Sequence, residues 1–257
     1  MTDNDTHKKS NTGKERQYVA CEDCQMDHLC QPIMVDGADI NAIRNILKKR
    51  LPIERGEILF HKGDPFKSLY AVCAGSFKII TDTSSDNERV LGFHLIGELA
   101  GSYAIYSQQY PYTVQAMEAS SVCEIPYEAM RRLGTHIPDI MNELTQLMSE
   151  EIQYTQSLLT LHTGKINAEE RLASFLLGLS SRLEKHGCSP SKIKLSMTRS
   201  DIGSYLGLTK ETISRLFSQL QEKNIITVSG KNVELLDMPT LQSLAGFQDS
   251  PLTHKPS

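Results

Sequence analysis

Between residues 52 and 126 the chain alternates between short apolar runs and turn-forming groups. The runs EILF, SLYAV, FKII and VLGFHL are separated by RG, KGD, AGS and TSSDN. This spacing predicts antiparallel strands in a roll or barrel. Before it, residues 39 to 50, DINAIRNILKKR, predict a short helix capped by Asp39, with Ile40, Ile43 and Leu47 on one face. After it, from Pro138 to about Thr163, the period becomes helical. Ile140, Leu144, Leu147, Tyr154, Leu158 and Leu161 form one stripe, broken by Glu151. Met141, Thr145, Met148, Ile152, Thr155 and Leu159 form a second. One buried face needs one stripe. Two stripes predict two partners: the chain's own β-region and a second copy of the chain. Glu150 and Glu151 lie on or beside these stripes, so pairing two such helices concentrates negative charge and makes the dimer marginal.

Residues 168 to 186 predict an amphipathic helix carrying Leu172, Phe175, Leu176, Leu179 and Leu183, stopped by Gly187. Thr198 then caps a short helix ending at Gly207, and Thr209 caps another running to about Lys223. Ile202, Leu206, Leu208, Ile213, Leu216 and Leu220 take inward positions. Two short helices around a glycine turn predict a helix-turn-helix. The following IITVSGKNVELL predicts a two-strand wing with a Ser-Gly-Lys-Asn turn. The second helix presents Lys210, Glu211, Ser214, Arg215 and Ser218 on one face. Arginine offers a fork to guanine, glutamate accepts from cytosine, and serine adapts to either role.

Composition and charge sharpen this picture. The chain has 257 residues, 39% of them hydrophobic and 23% charged, as expected of a globular protein. No apolar run approaches the ~20 residues that cross a bilayer. The N-terminal MTDNDTHKKSNTGKERQ lacks the apolar core of a signal peptide, so a cytoplasmic protein without membrane association is expected. Net charge is −4, but residues 1 to 164 hold 15 Lys and Arg against 22 Asp and Glu, whereas residues 165 to 257 hold 12 against 9. The basic excess falls where the helix-turn-helix is expected.

Six cysteines occur, at 21, 24, 30, 73, 123 and 188. Cys73, in AVCAG, reads as a small core residue, and Cys188, in HGCSPS, as a loop residue without a special role. Cys123 ends the last strand of the roll, within reach of the N-terminal loop if that loop packs there. The segment CEDCQMDHLC places Cys21, Cys24 and Cys30 at a C-x2-C-x5-C spacing. In a reducing compartment, clustered thiols point to metal or redox chemistry rather than disulfides. Iron–sulfur clusters and structural zinc both accept four thiolates, although zinc sites usually show two close pairs.

These residues resemble the cyclic-AMP receptor/FNR family of bacterial transcription regulators, and within it the oxygen-responsive FNR type. GDPFKSLYAVCAGSFKI and GELAG resemble its cyclic-nucleotide-binding roll, and ETISR at 211 to 215 resembles the FNR reading motif. The resemblance runs from Cys21 to about Gly246. It implies an α+β fold: a cysteine loop plus an antiparallel β-roll, a long dimerisation helix and a winged helix-turn-helix. It implies a disordered tail at 1–20, an iron–sulfur sensory domain at 21–135, a dimerisation helix at 136–164, a DNA-binding domain at 165–247 and a flexible tail at 248–257.

The resemblance also implies Cys21, Cys24, Cys30 and Cys123 as ligands of a 4Fe–4S cluster shielded by Leu29. Glu211, Ser214 and Arg215 would read TTGA-type half-sites of a palindrome in double-stranded DNA, with Lys210, Thr209 and Arg199 as further DNA contacts. Lys210 stands where the FNR type is apolar and the cyclic-AMP receptors carry Arg. The implied dimer interface is Met141, Thr145, Met148, Ile152, Thr155 and Leu159, formed when the cluster is bound. RNA polymerase is an implied partner, with SSDNE at 84 to 88 a candidate surface or simply a solvated hairpin tip.

Cyclic nucleotide is not expected. A cyclic phosphate needs a cation or a helix N-terminus, yet residues 90 to 130 contain no Lys or Arg, and Glu98 stands alone. An alternative is a zinc-stabilised or small-ligand-gated regulator of the same fold. An enzyme or electron carrier is not expected. The sequence has no dinucleotide glycine motif, no second cysteine cluster and no nucleophile or paired-carboxylate constellation.

Overall fold

A computed structural model describes residues 49–81, 88–135, 138–163 and 167–246. The cysteine segment with Leu29, and most of the helix expected at 39–50, lie outside these residues. The end of that expected helix is a strand: Lys49 and Arg50 open β1 (Lys49–Ile53). Strand β1 lies at a sheet edge, where Pro52 is tolerated because its missing N–H costs no ladder bond.

Seven more strands complete the roll: β2 (Ile58–Phe60), β3 (Ser68–Ala74), β4 (Phe77–Thr81), β5 (Arg89–His94), β6 (Leu99–Ala100), β7 (Thr113–Ala116) and β8 (Ser120–Pro126). They form two antiparallel four-stranded sheets, ordered β1-β8-β3-β6 and β2-β7-β4-β5. The apolar runs point inward, so Leu69, Val72, Phe77, Val114 and Val122 fill the space between the sheets. Helix α1 (Tyr127–Gly134) leads to α2 (Pro138–Thr163). Leu144 of α2 is buried in the roll core, and Met141 and Met148 pack at its edge.

Helix α3 (Ala168–Lys185) starts with a capping box in which Asn167 accepts from the Glu170 N–H and Glu170 reaches back to the Asn167 N–H. Strand β9 (Lys192–Lys194), helices α4 (Arg199–Leu206) and α5 (Lys210–Glu222), strands β10 (Ile226–Ser229) and β11 (Asn232–Leu235), and α6 (Met238–Leu244) follow. The wing therefore has three strands rather than the expected two, ordered β10-β11-β9. The third was obscured because KIK is short and two-thirds charged.

The second core is centred on Leu172, Leu176, Ile202, Ile213 and Leu220, and it does not stop at the helical half. It continues into the roll through Ile80, Val90, Phe93 and Leu95. Phe93, Phe175 and Tyr205 meet there with ring centroids 5.1 to 6.1 Å apart.

Candidate nucleic-acid interface

The reading unit is built from its caps. Thr198 Oγ1 accepts from the Asp201 N–H at 3.0 Å, and the Asp201 carboxylate accepts from the Thr198 N–H at 2.9 Å. Burial pushes the Asp201 carboxyl up, but the Thr198 hydroxyl and N–H together with Lys78 outweigh it, leaving it below the ordinary carboxylate range. Gly207, at φ 68°, ends α4 in the left-handed region. Thr209 then caps α5 by accepting from the Thr212 N–H at 3.1 Å.

Gly203, which the sequence alone did not single out, is what lets the two helices meet. A Cβ there would lie 2.6 Å from the Leu208 carbonyl oxygen. The turn backbone therefore occupies the space of the missing side chain. Its only signal in the sequence was a glycine inside a predicted helix, at a cost of ~1 kcal/mol against Ala.

Helix α5 buries Ile213, Leu216, Phe217 and Leu220 and exposes Lys210, Glu211, Ser214, Arg215 and Ser218. The five proposed readers thus share one open face. The Ser214 and Ser218 hydroxyls donate to the carbonyls of Lys210 and Ser214, at 2.9 and 3.3 Å. Those are exchangeable local bonds, as serine makes on a helix without another partner. Arg199 sits differently. Its guanidinium carbon lies 3.3 Å from the centre of the Phe217 ring, and burial lowers its pKa from the ordinary arginine value. This stacking fixes Arg199 beside α5 rather than on the open face. The wing turns at Gly230, φ 61°, between the paired residues Ser229 and Asn232.

On α2, Thr145, Ile152 and Thr155 are exposed, Ile152 at 57%. Met141 and Met148, expected at the dimer interface, are half-buried and pack at the edge of the chain's own roll. The Leu159 side chain lies outside the described residues. The two glutamates beside the stripes both find partners within the described chain. Glu151 turns toward the roll and accepts from the Ser102 hydroxyl at 2.6 Å, while Glu150 pairs with Lys185 at 3.4 Å.

Cys73 is buried as expected, and Cys188 is half-buried after α3. Cys123 lies mid-strand in β8 rather than at its end, opposite Arg50 of β1 and Ala71 of β3. Val122 points into the roll, so alternation places the half-buried Cys123 thiol on the other face. Of the expected polymerase surface only Glu88 is described, and it pairs with Lys78 at 3.3 Å. Among the described residues no group of three or more His, Cys, Asp or Glu is placed to hold a metal, and no helix is long and apolar enough to cross a membrane.

A β-roll carrying a long helix and a capped, winged helix-turn-helix defines a Crp-type DNA-binding transcription regulator. Residues 50–136 match the cyclic nucleotide-binding domain family and residues 170–244 the Crp-like helix-turn-helix domain family. The chain is 42% identical to the fumarate and nitrate reduction regulatory proteins of Yersinia pestis and Escherichia coli (strain K12), over 228 residues, 89% of this chain and 91% of each relative. It belongs to the fumarate and nitrate reduction regulatory protein, or FNR, family, and it is a regulator rather than an enzyme. Among solved structures it is similar to FixK2 from Bradyrhizobium japonicum, with TM-score 0.67 and 25% identity over 76% of this chain and 96% of that one. It shares its fold with TTHB099, a transcriptional regulator from Thermus thermophilus, at TM-score 0.60 and 20% identity over 76% and 96%.

Proposed function

We propose that this chain is an oxygen-responsive global transcription regulator of anaerobic metabolism, working in the cytoplasm. It binds palindromic TTGA-type sites as a dimer, activates or represses the genes there, and touches RNA polymerase in doing so. The observation that carries the DNA reading is the open face of α5, where Glu211, Ser214 and Arg215 stand on a helix held by Thr209 and Gly203. Lys210 and Thr209 flank them at the helix N-terminus, the end that reaches base edges. Arg199, stacked on Phe217, meets the phosphate backbone, which orients without specifying.

The donor set fits a 4Fe–4S cluster held by Cys21, Cys24, Cys30 and Cys123. Cys123 presents a soft thiol beside the edge strand β1, where the chain arrives from the cysteine segment. The 18 residues between Cys30 and Lys49 are ample, since an extended chain covers ~3.3 Å per residue. Leu29 would shield the group from solvent. When bound, such a cluster supplies an oxygen-labile crosslink between the N-terminal segment and the roll. Cyclic nucleotide is not the signal, because the one acid left in the GELAG segment is committed elsewhere in the chain.

Thr145, Ile152 and Thr155 give α2 a small, mixed face for a second copy. A small face makes a marginal dimer, and ~5 kcal/mol of differential binding moves such an equilibrium from one state to the other. Two readers one DNA turn apart, about 34 Å, then share a two-fold site.

The test uses the full chain purified without oxygen. Iron, sulfide and zinc are assayed, with sedimentation before and after air. About four iron and four sulfide per chain, and a dimer that becomes a monomer as the colour bleaches, are expected. Cys24→Ser and Cys123→Ser should sediment as monomers without oxygen. One zinc, no sulfide and an air-stable dimer would remove the sensor and keep the reader, favouring the zinc-stabilised alternative.

A further inference from the structure

The roll's GEL turn receives the end of α3. Arg182 donates from Nε to Glu98 Oε1 and from Nη2 to Glu98 Oε2, each at 2.6 Å, and from Nη2 to the Phe93 carbonyl at 2.6 Å. Glu98 Oε2 also accepts from the Leu95 N–H at 2.8 Å, and the Val72 N–H donates to the Glu98 carbonyl at 2.9 Å. The acid is thus held by the roll on one side and the arginine fork on the other. Both side chains are largely withdrawn from solvent, Arg182 at 13% and Glu98 at 20% exposure. Four residues on, at the C-terminal cap of α3, His186 covers Gly97. A Cβ on Gly97 would collide with the His186 ring, and φ at this glycine is +86°. Arg182 and His186, four residues apart, lie on one helix face. They plug into one turn of the roll.

We propose that the Glu98–Arg182 pair and the Gly97 seat for His186 are positioning elements that set the angle at which the DNA-reading half sits on the sensor half. The inference rests on the reading of the chain as a dimer that binds a palindrome. The apolar contact of Phe93, Phe175 and Tyr205 supplies attraction without direction. A planar, bidentate fork supplies direction, because only one approach satisfies both bonds. Buried ion pairs seldom add net stability over apolar residues of the same volume, and fixing one arrangement is their better-attested use. The sequence also shows an acid without a local cation: residues 90 to 130 contain no Lys or Arg. Its cation comes from the other half of the chain. The segment just beyond this turn and β6 is tied to the dimerisation helix, since Glu151 of α2 accepts from Ser102, four residues after Glu98. Roll, dimerisation helix and reader therefore meet within one short segment, and the reader's angle decides how far apart two reading helices fall in a dimer.

The test compares the full-length protein, purified without oxygen, with Glu98→Gln and Arg182→Lys. Glu98→Gln keeps the shape and removes the charge, whereas Arg182→Lys keeps the charge and removes the fork. DNA binding is read by fluorescence anisotropy on the palindrome and on versions with the central spacer one base pair longer or shorter. Sedimentation and iron content are followed in parallel, and small-angle X-ray scattering reads the arrangement of the two halves without DNA. Both variants should remain dimers with unchanged iron, bind the palindrome at least about tenfold more weakly, and lose most of their preference for the natural spacer. Their scattering should show a wider spread of arrangements than the wild type. A variant that merely melts earlier while keeping its spacer preference and scattering profile would overturn the proposal. Tighter DNA binding would do so too, since the pair would then hold the reader away from DNA. Should the wild type ignore all palindromes, the DNA reading proposed above fails, and the scattering comparison still decides whether the pair orients the two halves.

Discussion

Single residues carry two of the clearest consequences. His94 is buried beside Glu98, and its Nε2 has no hydrogen-bond partner among the described residues. Burial lowers its pKa to about 4, with Glu98 pulling it up and Arg182 pushing it down. The unfolded chain takes up this proton near pH 6.5 and the folded chain only near 4. Stability is therefore greatest above 6.5 and falls as pH drops toward 4, where the folded state begins to bind the proton too. Glu98, held below its ordinary value, adds to the loss at the lower end, whereas Glu151, raised by burial, offsets part of it. Urea midpoints measured between pH 6.5 and 4.5 should fall steadily, and His94→Phe should flatten that slope. Arg215, open on α5, has the other consequence. Arg215→Ala should cost about 1–3 kcal/mol of binding and relax discrimination at one base pair, as seen in a panel of half-site variants. A uniform loss across all sites would make it a phosphate contact.

At the scale of elements, the helix-turn-helix depends on how closely α4 approaches the turn. Gly203→Ala places a carbon against the Leu208 carbonyl, so backbone must shift. A loss of about 1–3 kcal/mol is expected, read as a lower thermal midpoint with the roll's secondary structure intact. The caps at Thr198 and Thr209 and the stop at Gly207 were legible, because each is a local rule written in one or two residues. The strands of the roll were legible for the same reason. What could not be read was pairing across the chain. KIK became a third wing strand only through β11, more than thirty residues later. The sequence reads Glu98 as a solitary acid and gives Arg182 no role at all. Nothing local links positions 84 residues apart. The stripes of α2 were visible, but periodicity cannot say how wide a single core will reach, and Met141 and Met148 also touch the edge of the roll.

At the scale of the whole molecule, the second core joins roll to reader, so that among the described residues Ile80, Val90 and Phe93 share one core with Phe175, Tyr205 and their neighbours. A chain emerging from the ribosome delivers these halves in order. The roll's β4–β5 face appears first and waits for the helices that bury it. At ~5–20 residues per second, roughly 110 further residues take about 5–20 s to make. During that interval the nascent roll shows an apolar sheet face that α3 and α4 cover in the folded chain. Its synthesis thus passes through a window in which chaperone access matters, and a message truncated before α3 would yield a product prone to aggregate rather than an independently folded roll.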